Sequence, residues 1–350
     1  MHPAQPSGID PIMKHATARA WWGVLLCAAA CSNRGAPPAE GDGGPEAGRP
    51  DATLDAGALD AENDAPWDAA ADAVLDTFDA GPLTGDEYFY VFDLLDIGAP
   101  EPEGDPTIVP GFDLDGVVSD GSEIETCRTA DFTSPPPDSE SGVDNALGPL
   151  LAREEPRFNI RANLRGSVRI GKLLVLLRLR GVDDLVDDDR VEVDVLFGLL
   201  PEGVAAPAFV GERFEPGQTF DVDARSLDAE MQPRVTLPGQ IVGGRLRAGP
   251  GRLGLSIPFG ADLVELQLDR VELRADVSAT ELSRGVIGGA LDVEDTAVAL
   301  EPISDFDIAL IRLVLGGAAD LDREGGACTS ASIGLVFAGV EAIEGTVRMP

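Results

Sequence analysis

The best candidate for chemistry in this chain is the stretch from Asp113 to Asn145. Asp113, Asp115 and Gly116 form a DxDG turn, and Asp120, Glu123, Asp131, Asp144 and Asn145 follow. Calcium takes six to eight oxygen ligands, often from closely spaced Asp and Asn in a glycine-containing loop. Asp113, Asp115, Asp120, Asp131, Asp144 and Asn145 are therefore the expected ligands of a calcium loop. The spacing lacks the D-x-[DN]-x-[DN]-G frame with a glutamate at position twelve, so an EF-hand is excluded. The competing reading is an acidic surface loop closed by Asx-turns.

A second set is cationic. Arg161, Arg165 and Arg169 recur on the polar side of an alternating segment. Guanidinium groups suit carboxylate and phosphate, so the three could hold an anionic glycan or lipid headgroup. Alternatively they pair with acidic neighbours such as Glu192 and Asp194 across a sheet.

Much chemistry is excluded by what is missing. The only histidines are His2 and His15, both ahead of residue 31. A chain that loses that segment has no Ser-His-Asp or Cys-His site and no histidine-ligated metal. Lys172 would be its one lysine, and Tyr88 and Tyr90 its tyrosines. GxSxG, P-loop and Rossmann patterns are absent. A hydrolase working with two carboxylates, as glycosidases do, stays open in so acidic a chain, but no pair stands out. The formal charge of -36 disfavours phosphate backbones, so nucleic acid is not an expected partner.

The segment that precedes residue 31 reads MKHATARAWWGVLLCAAAC from Met13. Lys14 and Arg19 give a positive start. Ala20 to Ala30 is apolar but too short to span a bilayer as a helix. Ala28, Ala29 and Ala30 then precede Cys31. This resembles a bacterial lipoprotein signal, in which cleavage exposes a lipid-modified cysteine; the departure is Ala28, where leucine is usual. The resemblance implies a leader over 1–30, with Met13 as a plausible start, lipidation at Cys31 and a membrane anchor. Ordinary secretory cleavage is the alternative, and either route exports the chain.

Residues 31–85 are mostly Ala, Gly, Pro and acid. Asp60, Asp64, Asp68, Asp72 and Asp76 would stack like charges on one helix face. With few large apolar residues, the stretch is expected to be a disordered, self-repelling tether.

From residue 86 to 350 the pattern is that of a folded β-rich domain. Hydrophobic residues make up 44% of the chain, while 41 glycines and 27 prolines favour turns. Strands are expected at Tyr88–Leu95, Phe158–Ile170, Leu173–Leu179, Val191–Phe197, Thr219–Ala224, Leu253–Phe259, Leu263–Val277 and from Ile333. The first is a buried apolar run, and most of the others alternate with period two. Glycine, serine and proline within Leu253–Phe259 mark an edge, and the alternation changes phase at Asp269–Arg270. Ser304 with Asp307 resembles a capping box for a helix carrying Phe306, Leu310, Ile311, Val314 and Leu315, stopped at Gly316–Gly317. Asp144–Leu151 reads as a shorter helix. The expected class is mainly β: an antiparallel sandwich or jelly-roll-like domain with one or two short helices. In an oxidising compartment, Cys127 and Cys328 are expected to pair.

The stretches VPGFDLDGVVSDGSEIETC, DFTSPPPDSESGVDN, GVIGGAL and CTSASIGLVF resemble segments of uncharacterised predicted lipoproteins of myxobacterial (delta-proteobacterial) type. The resemblance covers roughly residues 105–350. It implies an acidic linker before a β-rich domain and carries no activity. The expected role is a non-enzymatic binding or structural component of the cell envelope, at the outer membrane or cell surface, with a glycan or envelope protein as partner.

Overall fold

The computed structural model describes residues 83–101, 103–124, 126–259, 262–301 and 308–350. The expected leader, Cys31, residues 32–82 of the expected tether, and Ser304, Phe306 and Asp307 lie outside them. Gly81–Pro350 is one compact unit.

That unit is mainly β, as the patterning predicts. Strand β1 (Asp86–Ile97) leads into a long excursion that carries the short hairpin β2 (Phe132–Thr133) and β3 (Ser141–Val143). Helices α1 (Leu147–Phe158) and α2 (Ile160–Arg169) follow, then β4 (Val175–Val182) and β5 (Asp188–Leu199). The hairpin β6 (Phe209–Val210) and β7 (Arg213–Phe214) precedes β8 (Gln218–Asp223). A meander of β9 (Thr236–Val242), β10 (Arg245–Phe259), β11 (Asp262–Val277) and β12 (Glu281–Asp292) comes next. Helices α3 (Val293–Leu300) and α4 (Ile308–Ala318), then β13 (Leu321–Glu324) and β14 (Ala327–Arg348), complete the chain.

The main sheet closes on itself. The ring runs β1–β4–β5–β9–β10–β11–β12–β14 and returns to β1, every pair antiparallel. β8 bridges it, antiparallel to the end of β5 and parallel to the end of β14. A ring of eight strands is just wide enough for side chains to fill it. Leu177, Leu179, Val193, Leu246, Leu273 and Phe337 belong to one continuous buried core. Phe92 stacks on Phe337 at 4.2 Å between ring centroids.

Most strands fall where alternation places them. The phase change at Asp269–Arg270 is a bulge: the β11–β12 register shifts between Asp269 and Glu272, and Arg270 has φ 51°. The expected edge is also present, since β9 meets β10 only over Arg245–Ala248 and leaves Leu253–Phe259 with β11 alone. β12 escapes the pattern because it is rich in glycine. A Cβ at Gly285 would stand 2.5 Å from the Phe337 ring, and one at Gly288 2.6 Å from the Phe112 ring.

Phe158–Ile170 is a correction. The segment is not a strand: it holds the end of α1 and all of α2, joined at Asn159 in the left-handed region. Its alternation is ambiguous, because Ile160, Leu164 and Val168 are also four apart and so form a stripe on a helix. Arg161 and Arg165 stand on the next stripe, one turn apart. Both reach the buried Asp96 of β1, Arg161 through Nη2 at 2.8 Å and Arg165 through Nε at 3.0 Å. Burial alone would raise the Asp96 carboxyl; the two guanidinium hydrogen bonds outweigh it and hold it below its usual range. Arg169 stacks on the Phe209 ring instead. Glu192 and Asp194 take their cations from the neighbouring strand, Arg178 and Arg180 of β4. Arg161 and Arg165 thus fasten α2 to β1, while Arg169 packs on the β6–β7 hairpin.

Candidate metal centre

The excursion between β1 and α1 lies across β10, β11, β12 and β14, and five kinds of contact hold it there. Phe112 packs over Gly288 and under the Arg274 guanidinium, 4.9 Å from its ring centroid. The buried Arg274 pairs with Glu140 and Asp138 and donates to the Gly111 carbonyl. Arg245 and Arg247 bind the same two carboxylates. Asn145 hydrogen-bonds the backbone on both sides of the contact. The fifth contact is covalent: Cys127 and Cys328 are paired, with Cα atoms 6.0 Å apart.

This scaffold brings three of the six expected ligands together. Asp113, Asp115 and Asp144 each place a carboxylate oxygen within 4.8 Å of the others. Two oxygens on one calcium ion, each 2.3–2.6 Å from it, are no more than about 5 Å apart. Each carboxylate also accepts one backbone N–H: Asp113 from Gly116 at 2.6 Å, Asp115 from Val117 at 2.9 Å and Asp144 from Leu114 at 2.7 Å. The Asx-turn of the competing reading is thus present at Asp115, while Asp144 takes its hydrogen bond from across the loop.

The other three behave differently. Asp131 stands close enough to act electrostatically on the cluster, with its Oδ2 accepting from Ser119 N–H. Asp120 is exposed and accepts from Ser122 N–H at 2.9 Å, outside the carboxylate triad. Asn145 is a correction in role, since its amide is fully engaged. Nδ2 donates to the carbonyls of Gly98 and Pro110, and Oδ1 accepts from Gly148 and Gly334.

Asp320, just before β13, joins the group without any signal in the local sequence. Its carboxylate accepts from the Ser332 N–H and hydroxyl.

Crowded buried acids resist ionisation. Burial, more than the nearby Asp115, Asp320 and Asp131, pushes Asp144 up to about 8 despite its hydrogen bond from Leu114. Asp131 rises to about 6 through burial and the charges of Asp115, Asp113 and Asp320. Asp320 also rises to about 6, burial outweighing the Ser332 hydrogen bonds. Asp113 is raised by burial and by Asp115. A divalent cation would relieve all four; calcium, with its tolerance for irregular oxygen shells, fits a set of three carboxylates completed by carbonyls and water.

Compared with family models, curated proteins and solved structures, the chain matches none.

Proposed function

We propose that this chain is an exported lipoprotein, anchored to the envelope membrane through Cys31, whose β domain does non-enzymatic binding or structural work and takes calcium at Asp113, Asp115 and Asp144. The observation that carries the reading is the double fastening of one loop. Cys127 ties it to β14 by a disulfide, a bond kept in oxidising compartments. In the same excursion, three carboxylates place oxygens close enough together to suit a cation. Extracellular calcium modules bind at roughly 10⁻⁴–10⁻³ M, so a modest oxygen set suffices there. A carboxylate hydrolase is less well served, because within this cluster Asp144 is only 4% exposed.

The anchor is tested by the intact mass of protein purified from membranes. The expected species is a diacyl or triacyl chain beginning at Cys31, with two thiols released only on reduction. An unlipidated mature chain would make the protein freely secreted.

The cation is tested by melting. The folded value of Asp144, about 8, lies above its ordinary 3.8. Without metal, its protonated form therefore favours folding. That contribution is full below about pH 4 and is lost as pH rises through about 8. Calcium takes the ionised form, so its stabilisation grows over the same window. At a hundredfold excess over the dissociation constant it adds about 2.7 kcal/mol. Asp144→Asn is expected to abolish the calcium response. Identical melting at pH 8 with and without millimolar calcium would remove the cation from the reading.

A further inference from the structure

The tip of the β10–β11 hairpin extends past its neighbours. β12 pairs with β11 only from Asp269 onward, and β9 leaves β10 after Ala248, so Leu253–Phe259 and Asp262–Leu268 form a two-stranded ribbon. Between this ribbon and the far half of β5 lies a cavity of about 850 Å³. Its size falls within the range of small-molecule sites, about 300–1,000 Å³.

The walls have two characters. Leu174, Val195 and Phe197 supply an apolar floor, the first two almost wholly buried, and Leu266 is an apolar residue of the ribbon itself. Across from it the ribbon contributes Gly254 and Ser256, whose small size leaves the space open. A Cβ at Gly254 would meet only Gln267 Oε1, at 3.8 Å. The rim is cationic: Lys172, Arg225, Arg234 and Arg252 against Asp223 and Glu265.

That excess is unusual in a chain of net charge -36. Most of the domain's arginines are spent on carboxylates, and two of these four are as well: Arg225 on Asp223 and Arg252 on Asp269. Lys172 and Arg234 have no carboxylate partner among the described residues; Arg234 Nε donates to the Arg225 carbonyl at 3.1 Å. Two unspent cations over an apolar floor match a molecule with one negative head and an apolar body.

We propose that this cavity binds an anionic amphiphile, its carboxylate or phosphate held by Lys172 and Arg234 and its apolar chain laid along Leu174, Val195 and Phe197. The site is separate from the carboxylate cluster, and the two readings stand or fall independently.

The test uses the full chain carrying Cys31→Ser, so that its own acyl groups cannot compete, titrated calorimetrically with dodecanoate, dodecyl phosphate and dodecanol below their aggregation limits. Both anions are expected to bind, and dodecanol at least tenfold more weakly. Replacing Lys172 and Arg234 together with glutamate is expected to lower anion affinity tenfold or more with unchanged melting. Gly254→Leu, which adds bulk into open space, should weaken all three ligands and serves as the second variant if the charge reversal unfolds the chain. Equal binding of dodecanol, full affinity in either variant, or no binding would overturn the proposal. Cosedimentation with phosphatidylglycerol vesicles without binding of monomeric dodecanoate would also overturn it, assigning the charge to a membrane surface.

Discussion

Replacing Cys127 and Cys328 with serine is expected to lower the stability of the domain by about 5 kcal/mol. The two residues are 201 apart in sequence, and a cross-link closing so long a loop removes a large entropy from the unfolded chain. The folded state would change as well. Cys127 lies in the excursion that bears Asp113, Asp115 and Asp131, and Cys328 lies in β14 beside β13, which follows Asp320. Without the bond these carboxylates are held by non-covalent contacts alone, so calcium affinity should fall together with stability. Denaturant melts with and without reductant measure the first effect, and calcium titrations of the same samples the second. A loss below about 1 kcal/mol would mean that the surrounding contacts already fix the loop.

Asn145→Ala is the second large effect, at about 4 kcal/mol. The side chain is fully buried and makes hydrogen bonds of 2.7–3.0 Å to four backbone groups. Alanine would leave two carbonyls and two N–H groups unpaired in the interior, each costing about 1–3 kcal/mol before relaxation. Asn145→Asp keeps the acceptor but turns a negative oxygen toward the carbonyls of Gly98 and Pro110, so it should not rescue. Asp120→Asn, on an exposed turn of the same loop, should stay within about 0.5 kcal/mol. If Asn145→Ala melts like the wild type, the amide is not the hub that joins the loop to β14.

These three residues show how far the sequence carries. Cys127 and Cys328 are legible because cysteines are few and the oxidising compartment expected from the leader would pair them. Asn145 is legible as a residue of the candidate loop but not in its role, since an amide beside acids looks like a ligand until its four partners are known. The strands read well wherever one face is buried and the other polar, as in β5. β12 does not, because glycine carries no hydropathy signal and is there to admit the rings of Phe112 and Phe337. α2 misleads because a four-residue repeat satisfies both strand and helix periods; what decides is Asp96, far away in sequence, waiting for Arg161 and Arg165 on successive turns. Asp113, Asp115 and Asp144 announce themselves by type and spacing. Asp320 cannot, because only the β13–β14 hairpin carries it to the cluster.

The closure of the ring has a consequence for timing. β1, the first strand, pairs along one side with β14, the last, with Tyr90 opposite Glu341. β14 also partners β12, β13 and β8. During synthesis, β1 therefore emerges long before the partner that completes it. Pairings so distant along the chain form late and slowly. Until β14 (Ala327–Arg348) arrives, β1 has one unpaired edge and an apolar face, the state in which β chains aggregate. The ring can thus close only after the whole domain has been made, and a truncation of β14 would cost its pairing with both β1 and β12.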